Sequence, residues 1–415
     1  MKILHVIPSL SSDLGGPSQV ALNLVKALRD QSYDAEILTT NFGLDLPLYQ
    51  RSDYLFDQTQ GLSVPTWVVP FDRPPLKEFI FSKAAIAWLW KNLANYDVID
   101  NHYLFSCLPT SAAIIARLQN IPYTVRTMGQ LTDWALAQSR TKKQIYSYFL
   151  ERQNLSRAAA IHCTTPAEAE DVRAYGINTP TVTLPLGVTP PIPIANARAK
   201  LCQAYGLNPE QPVVLFLSRL HYKKRPDLLL KSLGQLNAAG VDFQAILAGS
   251  GTSDYVNELQ QLTATLHLQD RVLFPGLVTG VDKALLLQGA DAFVLPSFSE
   301  NFGIAVAEAL VAGLPVVITS GIQISAEIKA AKAGLVVDGD VDAVANAIGQ
   351  LLSQPTLRTE LGQRGQALAE SRYAWAKIAQ SLAKTYMMIT DGKHLPGDLA
   401  DSSLCNSRLT PIKES

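Results

Sequence analysis

Short, continuous runs of apolar residues alternate along the chain with longer segments whose apolar residues recur at helical spacing. The run KILHVIP precedes SQVALNLVKALRDQ, and in the second half PVVLFLS precedes PDLLLKSLGQLNAAG. Continuous apolar runs are typical of parallel strands buried on both faces, and amphipathic segments are typical of the helices that cover them. The pattern therefore predicts an α/β protein with parallel, Rossmann-like sheets.

A proline-rich stretch divides this alternation into two parts. Its prolines, too dense for a helix interior or a central strand, are Pro185, Pro190, Pro191 and Pro193. Because 415 residues also exceed one ordinary core, we predict two Rossmann-like domains that face each other across a cleft. The predicted segments are 1–187 for the N-terminal domain, 188–196 for the linker, 197–372 for the C-terminal domain, 373–390 for a last helix that could pack back on the N-terminal domain, and 391–415 for a disordered polar tail.

Composition and charge exclude several classes of protein. The 35 Lys and Arg residues balance 36 Asp and Glu residues, so nucleic acid is not an expected partner. The four cysteines have no paired spacing, which argues against a disulfide framework or a zinc site and favours a reducing cytoplasm. The apolar N-terminus is too short for a signal peptide, and no apolar run is long enough to span a bilayer.

The segment SENFGIAVAEALVAGLPVV places two acids, Glu300 and Glu308, around a predicted strand-to-helix turn. Ligands of parallel sheets bind at the carboxyl ends of the strands, and free N–H groups at Phe302 and Gly303 would attract an anion there. The carboxylates would repel a phosphate but can accept hydrogen bonds from a vicinal diol. The segment thus fits a sugar nucleotide, with a solvated loop acid and an exposed helix acid as the alternative.

A second segment, LSRLHYKKRPD, supplies cations after the first strand of the same domain. Arg219 directly follows the predicted strand, and Lys223, Lys224 and Arg225 precede a helix. A buried, unpaired charge at a strand end is costly, and a diphosphate leaving group would compensate it. An ordinary solvated turn is the alternative.

Together with the two-domain layout, the E-x7-E segment and the SRL…KK turn resemble the retaining glycosyltransferases of family 4, also called group 1, over residues 1–390. The resemblance implies the GT-B fold and a nucleotide-sugar donor. It makes Arg219, Lys224 and Glu300 the candidate catalytic residues, with Glu308 accepting the ribose hydroxyls. The donor-binding residues it implies are Gly16, Arg219, Lys224, Leu273, Glu300, Asn301, Phe302, Gly303 and Glu308.

In the N-terminal domain, the same resemblance places an acceptor or sugar side at Gly15, His102, Arg126 and Met128. For the two glycines, a plain tight turn is an equal alternative. The sequence departs from the family pattern at Met128, where relatives often carry a His that contacts the donor sugar. It also departs at Leu186, where Asn is usual, and at Arg225, where Gly is usual.

The expected function is transfer of a sugar, with retention, to a hydroxyl of a saccharide or lipid-linked acceptor in polysaccharide or glycolipid biosynthesis. No metal and no further cofactor are expected, since the spacing of Asp338, Asp340 and Asp342 fits helix capping better than an EF-hand. The alternatives are another GT-B enzyme, such as a sugar-nucleotide epimerase or a phosphorylase, or a non-catalytic relative in an assembly. These are separated by product analysis and by binding without turnover.

The basic segment 140–157 carries a local charge that the near-neutral total conceals. Residues 73–157 contain 11 Lys and Arg against 5 Asp and Glu. Such a segment could contact an anionic membrane at its cytoplasmic face or a phosphorylated, lipid-linked acceptor, or it could be a core helix with one solvated face.

Overall fold

The computed structural model describes residues 1–11, 16–44, 51–57, 62–72, 80–137, 146–393, 395 and 399–400. The chain divides into two units. The first combines Met1–Gly187 with Trp375–Ser415, and the second is Val188–Ala374.

The first unit contains one sheet with the strand order Leu399–Ala400, β8, β7, β6, β5, β1, β2, β4, β3. Its strands are β1 (Lys2–Ser9), β2 (Asp34–Thr40), β3 (Arg51–Asp57), β4 (Leu62–Val69), β5 (Val98–His102), β6 (Tyr123–Arg126), β7 (Ala160–Cys163) and β8 (Thr181–Thr183). Strand β3 is antiparallel to β4, and the other pairs are parallel.

The helices of the first unit come from both ends of its sequence. They are α1 (Gly16–Asp30), α2 (Lys83–Asn92), α3 (Cys107–Leu118), α4 (Asp133–Ala137), α5 (Arg152–Ser156), α6 (Pro166–Ala174) and α15 (Trp375–Thr390). A 3-10 turn covers Leu93–Asn95, and a π-helical turn covers Ser147–Glu151.

The second unit contains one parallel sheet with the strand order β11, β10, β9, β12, β13, β14. Its strands are β9 (Val213–Leu217), β10 (Gln244–Ala248), β11 (Val272–Gly276), β12 (Ala292–Leu295), β13 (Val316–Thr319) and β14 (Gly334–Val337). Its helices are α7 (Ala197–Tyr205), α8 (Pro226–Ala238), α9 (Ser253–Thr265), α10 (Gly280–Gly289), α11 (Ile304–Val311), α12 (Ser325–Ala330), α13 (Val341–Ser353) and α14 (Pro355–Arg372), with a 3-10 turn at Tyr222–Lys224.

Strand β1 shows why continuous apolar runs indicate a doubly covered sheet. Ile3 and Ile7 pack in one cluster with residues of α1 and α15, whereas Leu4 and Val6 pack in another with residues of α2 and α3. Successive side chains of a strand point to opposite faces, so a strand covered on both sides is apolar at most of its positions. The prediction of parallel Rossmann-like sheets is confirmed.

The last helix belongs to the first unit. In α15, Ile378, Leu382 and Tyr386 are buried in the cluster shared with α1. The ring of Trp375 lies against Gly187, where any Cβ atom would overlap it. Beside this point Val188 donates a backbone hydrogen bond to Tyr373 O at 2.8 Å and pairs with Ala374, so the two ends of the second unit lie side by side.

Several sequence features have a structural explanation. The carboxylate of Asp340 caps α13 by accepting from Ala343 N at 2.8 Å, as predicted for this acid-rich segment. Cys107, Cys163 and Cys202 are buried free thiols, and Cys405 lies outside the described residues. So do residues 401–415 of the predicted tail, whereas Leu399–Ala400 pairs with β8. Among the described residues, no helix combines the length and apolar character needed to cross a bilayer.

Candidate functional site

The sequence-predicted donor residues of the second unit come together at the carboxyl edge of its sheet. Lys224 lies in the turn after β9, and Glu300 lies in the turn after β12, the strand beside β9. Their side chains form an ion pair, and each is only 13% exposed. Ser297 Oγ also donates to Glu300 Oε1, at 3.1 Å. An acid and a base that are 76 residues apart in the sequence thus meet at this edge.

The backbone after β9 holds Lys224 in place. Lys224 N donates to His221 O at 2.8 Å, and the His221 ring accepts from Lys223 N at 3.2 Å. Burial, together with repulsion by Arg219, Lys224 and Lys223, lowers the pKa of His221. The turn therefore holds a neutral imidazole among cations, which is an environment that favours an anionic ligand.

Arg225 stands where the family usually has glycine, and its backbone adopts the left-handed conformation at φ 53°. This conformation costs a non-glycine residue about 1–2 kcal/mol. Its guanidinium donates to Gly339 O at 2.6 Å and lies 4.3 Å from the centre of the Phe298 ring. The departure is therefore accommodated by contacts to two neighbouring loops.

Arg219 lies two residues after the end of β9, close to its predicted position, but its side chain is exposed. The desolvation cost expected for a charge at this position therefore does not arise. Within the described residues it forms no ion pair. Nearby, a Cβ atom on Gly249 would overlap Ser218 O, and Gly249 has φ 151°, so the glycine permits the close approach of the loops after β9 and β10.

The turn into α11 presents backbone donors. Gly303 caps the helix with φ 89°, and a Cβ atom there would lie 2.9 Å from Ile322 Cγ2. Phe302 is buried against Tyr373, with ring centroids 5.4 Å apart, and Asn301 is half-buried. The first N–H groups of a helix have no partner within it, so this helix start beside Lys224 and Glu300 can bind a phosphate or a sugar oxygen.

Glu308 lies one turn into α11 and is paired with Lys283, whose Nζ donates to Glu308 Oε1 at 2.8 Å. Sequence reasoning missed Lys283, because only the fold brings the first turn of α10 beside α11.

Leu273 lies in β11, the edge strand of its sheet, and pairs with Ile246 of β10. An edge strand keeps unpaired backbone donors and acceptors on its outer side, which is what a nucleobase contact requires.

The residues of the first unit that were predicted to contact the donor or the acceptor occupy different environments. Gly15 lies outside the described residues, and Gly16 begins α1 with open space where a Cβ atom would be. His102 and Arg126 are buried rather than facing a ligand surface. The reason is Asp100, a fully buried acid of β5 whose Oδ2 accepts from Arg126 Nε at 2.8 Å and from Tyr386 OH at 2.5 Å.

The buried cluster around Asp100 also contains His5, His102 and His162. Burial lowers the pKa of His5 to about 4 and that of His162 to about 3. Although burial opposes it, Arg126 holds the pKa of Asp100 well below its usual value. His5, Asp100 and His102 offer ligand atoms within 4.8 Å of one another. A divalent cation there would, however, lie beside the buried guanidinium that already occupies the carboxylate.

Met128 is half-buried and has φ 51°, and its turn is held by Glu168. Glu168 Oε1 accepts from Thr127 Oγ1 and from Gly129 N, both at 2.6 Å. The sequence contains a signal for this residue, because Thr165 and Glu168 have the spacing of a capping box at the start of α6. Glu168 thus holds the turn in which Met128 stands at the position of the usual family histidine.

Residues 140–145 of the basic segment lie outside the described residues. The described remainder forms the π-helical turn and α5, in which Leu155 is buried and Phe149 is 67% exposed. Glu151, at the end of the π-helical turn, is buried and accepts from Phe105 N at 2.9 Å. Burial raises the pKa of Glu151 to about 7, and the carboxyl anchors a loop in which Tyr103 and Phe105 have positive φ.

Glu151 is expected to make stability depend on pH. Because its pKa is raised from 4.5 to about 7 on folding, the folded protein binds more protons than the unfolded chain between these values. The free energy of unfolding should therefore fall as pH rises through this window, by up to about 3 kcal/mol, and change no further above it. Glu151→Gln should remove this component when urea unfolding is compared at about pH 4.5 and about pH 7.5, which together span the window. The exposed control Glu170→Gln should retain it, and equal pH dependence in both variants would contradict the assignment.

The fold and the site together define a class of protein. Two Rossmann-like units, one with a cationic turn and two carboxylates at the carboxyl edge of its sheet, are typical of enzymes that bind a nucleotide-linked substrate. The family described as Glycosyl transferases group 1 matches residues 198–368, and the Glycosyl transferase 4-like domain matches residues 15–187.

Relatives and solved structures extend these matches. The D-inositol 3-phosphate glycosyltransferase of Xylanimonas cellulosilytica is 31% identical over 306 residues, covering 71% of this chain and 72% of the relative. That of Pseudarthrobacter chlorophenolicus is 26% identical and covers 92% of both chains. The chain belongs to the group 1 glycosyltransferases.

Two solved structures show the fold. Sucrose-phosphate synthase from Thermosynechococcus elongatus superimposes with a TM-score of 0.73 at 20% identity, covering 95% of this chain and 100% of that one. Anabaena HepE in complex with UDP and glucose also gives 0.73, at 22% identity, covering 93% and 99%. The predicted GT-B fold is thereby confirmed.

Proposed function

We propose that the protein transfers a sugar from a UDP-linked donor to a hydroxyl of a saccharide or lipid-linked acceptor, with retention of configuration. The observation that carries this proposal is the Lys224–Glu300 pair beside the start of α11. The cation at this sheet edge suits the phosphate of such a donor, and the carboxylate can accept hydrogen bonds from the sugar hydroxyls. The helix N–H groups can donate to the sugar oxygens. Uridine is proposed as the base because HepE was solved with UDP-glucose.

In the proposed reaction, Lys224 and Arg219 stabilise the diphosphate as the bond to the anomeric carbon breaks. Lys224 is paired with Glu300 in the structure, and in the proposed complex the lysine exchanges this carboxylate for a phosphate oxygen of the donor. Glu300 is then free to accept hydrogen bonds from the transferred sugar. The acceptor hydroxyl attacks from the face of the leaving group, and its proton passes to the departing phosphate. No step requires a metal ion or a further cofactor.

The acceptor is proposed to be a saccharide or a lipid-linked saccharide, and the enzyme to act in polysaccharide or glycolipid biosynthesis in the cytoplasm. Two relatives are named for D-inositol 3-phosphate, which is a polyol phosphate. Their name supports a hydroxyl-rich acceptor for this protein. The basic segment 140–157, with exposed Phe149, supports peripheral contact with an anionic membrane as part of this proposal.

The donor class is tested by the thermal midpoint of the protein with UDP, GDP, ADP or buffer. A ligand that binds only the folded state raises the midpoint, so UDP is expected to give the largest rise. Transfer from UDP-sugars to a panel of saccharide acceptors then tests catalysis, with the anomeric configuration of the product read by NMR. A larger rise with GDP or ADP would overturn the uridine assignment. Binding of UDP without transfer or hydrolysis across the panel would overturn the catalytic one.

A further inference from the structure

Lys283 is a charged residue on the ribose side of the candidate site. It lies in the first turn of α10, the helix that follows edge strand β11, and its ammonium is 2.8 Å from Glu308 Oε1. The two side chains are 30% and 25% exposed, so a ligand can reach the pair from solvent. Partly exposed ion pairs contribute little to folding stability, so this pair is available for a role in ligand binding.

The carboxylate of Glu308 and the ammonium of Lys283 keep hydrogen-bonding capacity that a diol can use. Glu308 Oε2 forms no hydrogen bond within the described part of the chain, and Oε1 keeps a second lone pair. The lysine fixes one oxygen of the carboxylate and so restricts its rotation. The ammonium of Lys283 keeps two further N–H donors. A ligand hydroxyl that donates to the Glu308 carboxylate would lie within reach of them.

We propose that Lys283 determines selectivity for a ribose over a 2′-deoxyribose in the nucleotide of the donor. Glu308 accepts from the two hydroxyls of the diol, and Lys283 orients the carboxylate and donates to the 2′ oxygen. Removing the 2′-hydroxyl leaves the lysine donor and one carboxylate lone pair without a partner, which is costly in a half-buried site. This inference rests on the proposed function, which makes Glu308 the ribose acceptor.

The test is calorimetric titration of UDP and 2′-deoxy-UDP into the wild-type protein, Lys283→Met and Lys283→Arg. The wild type should prefer UDP by about tenfold or more, since a hydrogen bond to a charged group is worth at least this ratio. Lys283→Met should reduce the preference to below about threefold, with most of the loss in UDP affinity, and Lys283→Arg should retain more of it because the donor persists. Lys231→Met, which breaks the exposed pair with Asp227 on α8, serves as the matched control.

Each outcome decides one statement. An unchanged ratio of the two affinities in Lys283→Met, with UDP still bound, would overturn the role of Lys283 and leave the proposed function standing. An equal loss of both affinities would also overturn it, because the lysine would then act as a general cation. If the wild type bound neither nucleotide, the proposed donor site would fail together with this inference. Thermal midpoints of the variants exclude misfolding as the cause of a lost affinity.

Discussion

Lys224→Ala is expected to lower kcat/KM for sugar transfer by about 100-fold to 1,000-fold, which is the usual effect of removing one charge-stabilising donor from an active site. Lys224 is the half of the ion pair that can exchange its carboxylate for a phosphate oxygen. The variant also leaves Glu300 without its cation, so the carboxylate would repel the incoming diphosphate. Both effects act in the same direction.

The measurement is the initial rate of transfer at varied donor and fixed acceptor concentration. Lys231→Ala is the matched control, because Lys231 lies on the following helix, pairs with Asp227 and is about half exposed. It should retain wild-type kinetics. A kcat/KM within about threefold of the wild type for Lys224→Ala would remove this lysine from the reacting centre, because a loss below 1 kcal/mol is too small for such a donor.

Asp100→Asn is expected to lower the free energy of unfolding by about 3–5 kcal/mol, because it leaves the buried guanidinium of Arg126 without its counter-charge. The carboxylate also accepts a hydrogen bond from the Tyr386 hydroxyl of α15 at 2.5 Å, so the change also weakens the packing of the last helix. Asp97→Asn, an exposed acid just before β5, is the control and should cost little.

Denaturant unfolding of the full chain measures this effect, and Arg126→Met completes a double-mutant cycle. If the charge of Arg126 causes the loss, the double variant should be more stable than Asp100→Asn alone. Equal stability of these two variants would show that the loss comes from packing or from Tyr386 instead.

The sequence was sufficient to predict the fold and the positions of the two charged segments of the candidate site, but not that Lys224 and Glu300 form an ion pair. Strand and helix periodicity fixed the positions of β9 and β12, and the rule that ligands bind at carboxyl ends brought Lys224 and Glu300 to one edge. The same rule misled for His102 and Arg126. Both lie at strand ends, but the rule does not say whether a side chain points into the interior, and Asp100 draws Arg126 there.

Contacts between distant elements were the part that periodicity could not supply. Lys283 of α10 pairs with Glu308 of α11, and Glu168 at the start of α6 hydrogen-bonds to the turn at Met128. Neither partner is adjacent in a strand or helix pattern, so only the packing of the complete fold defines these pairs. The capping-box spacing of Thr165 and Glu168 marks the second acid without indicating what it binds.

The adjacency of Val188 and Ala374, with α15 packed beside α1, has a consequence for how the protein is made. The second unit is an insertion in the first, since the chain leaves the first unit at Gly187 and returns at Trp375. Domains generally fold as units during synthesis, so the second unit can fold on the ribosome as soon as it has emerged. The first unit, although its N-terminal part is made earliest, lacks Tyr386 for the buried Asp100 until the last helix is translated.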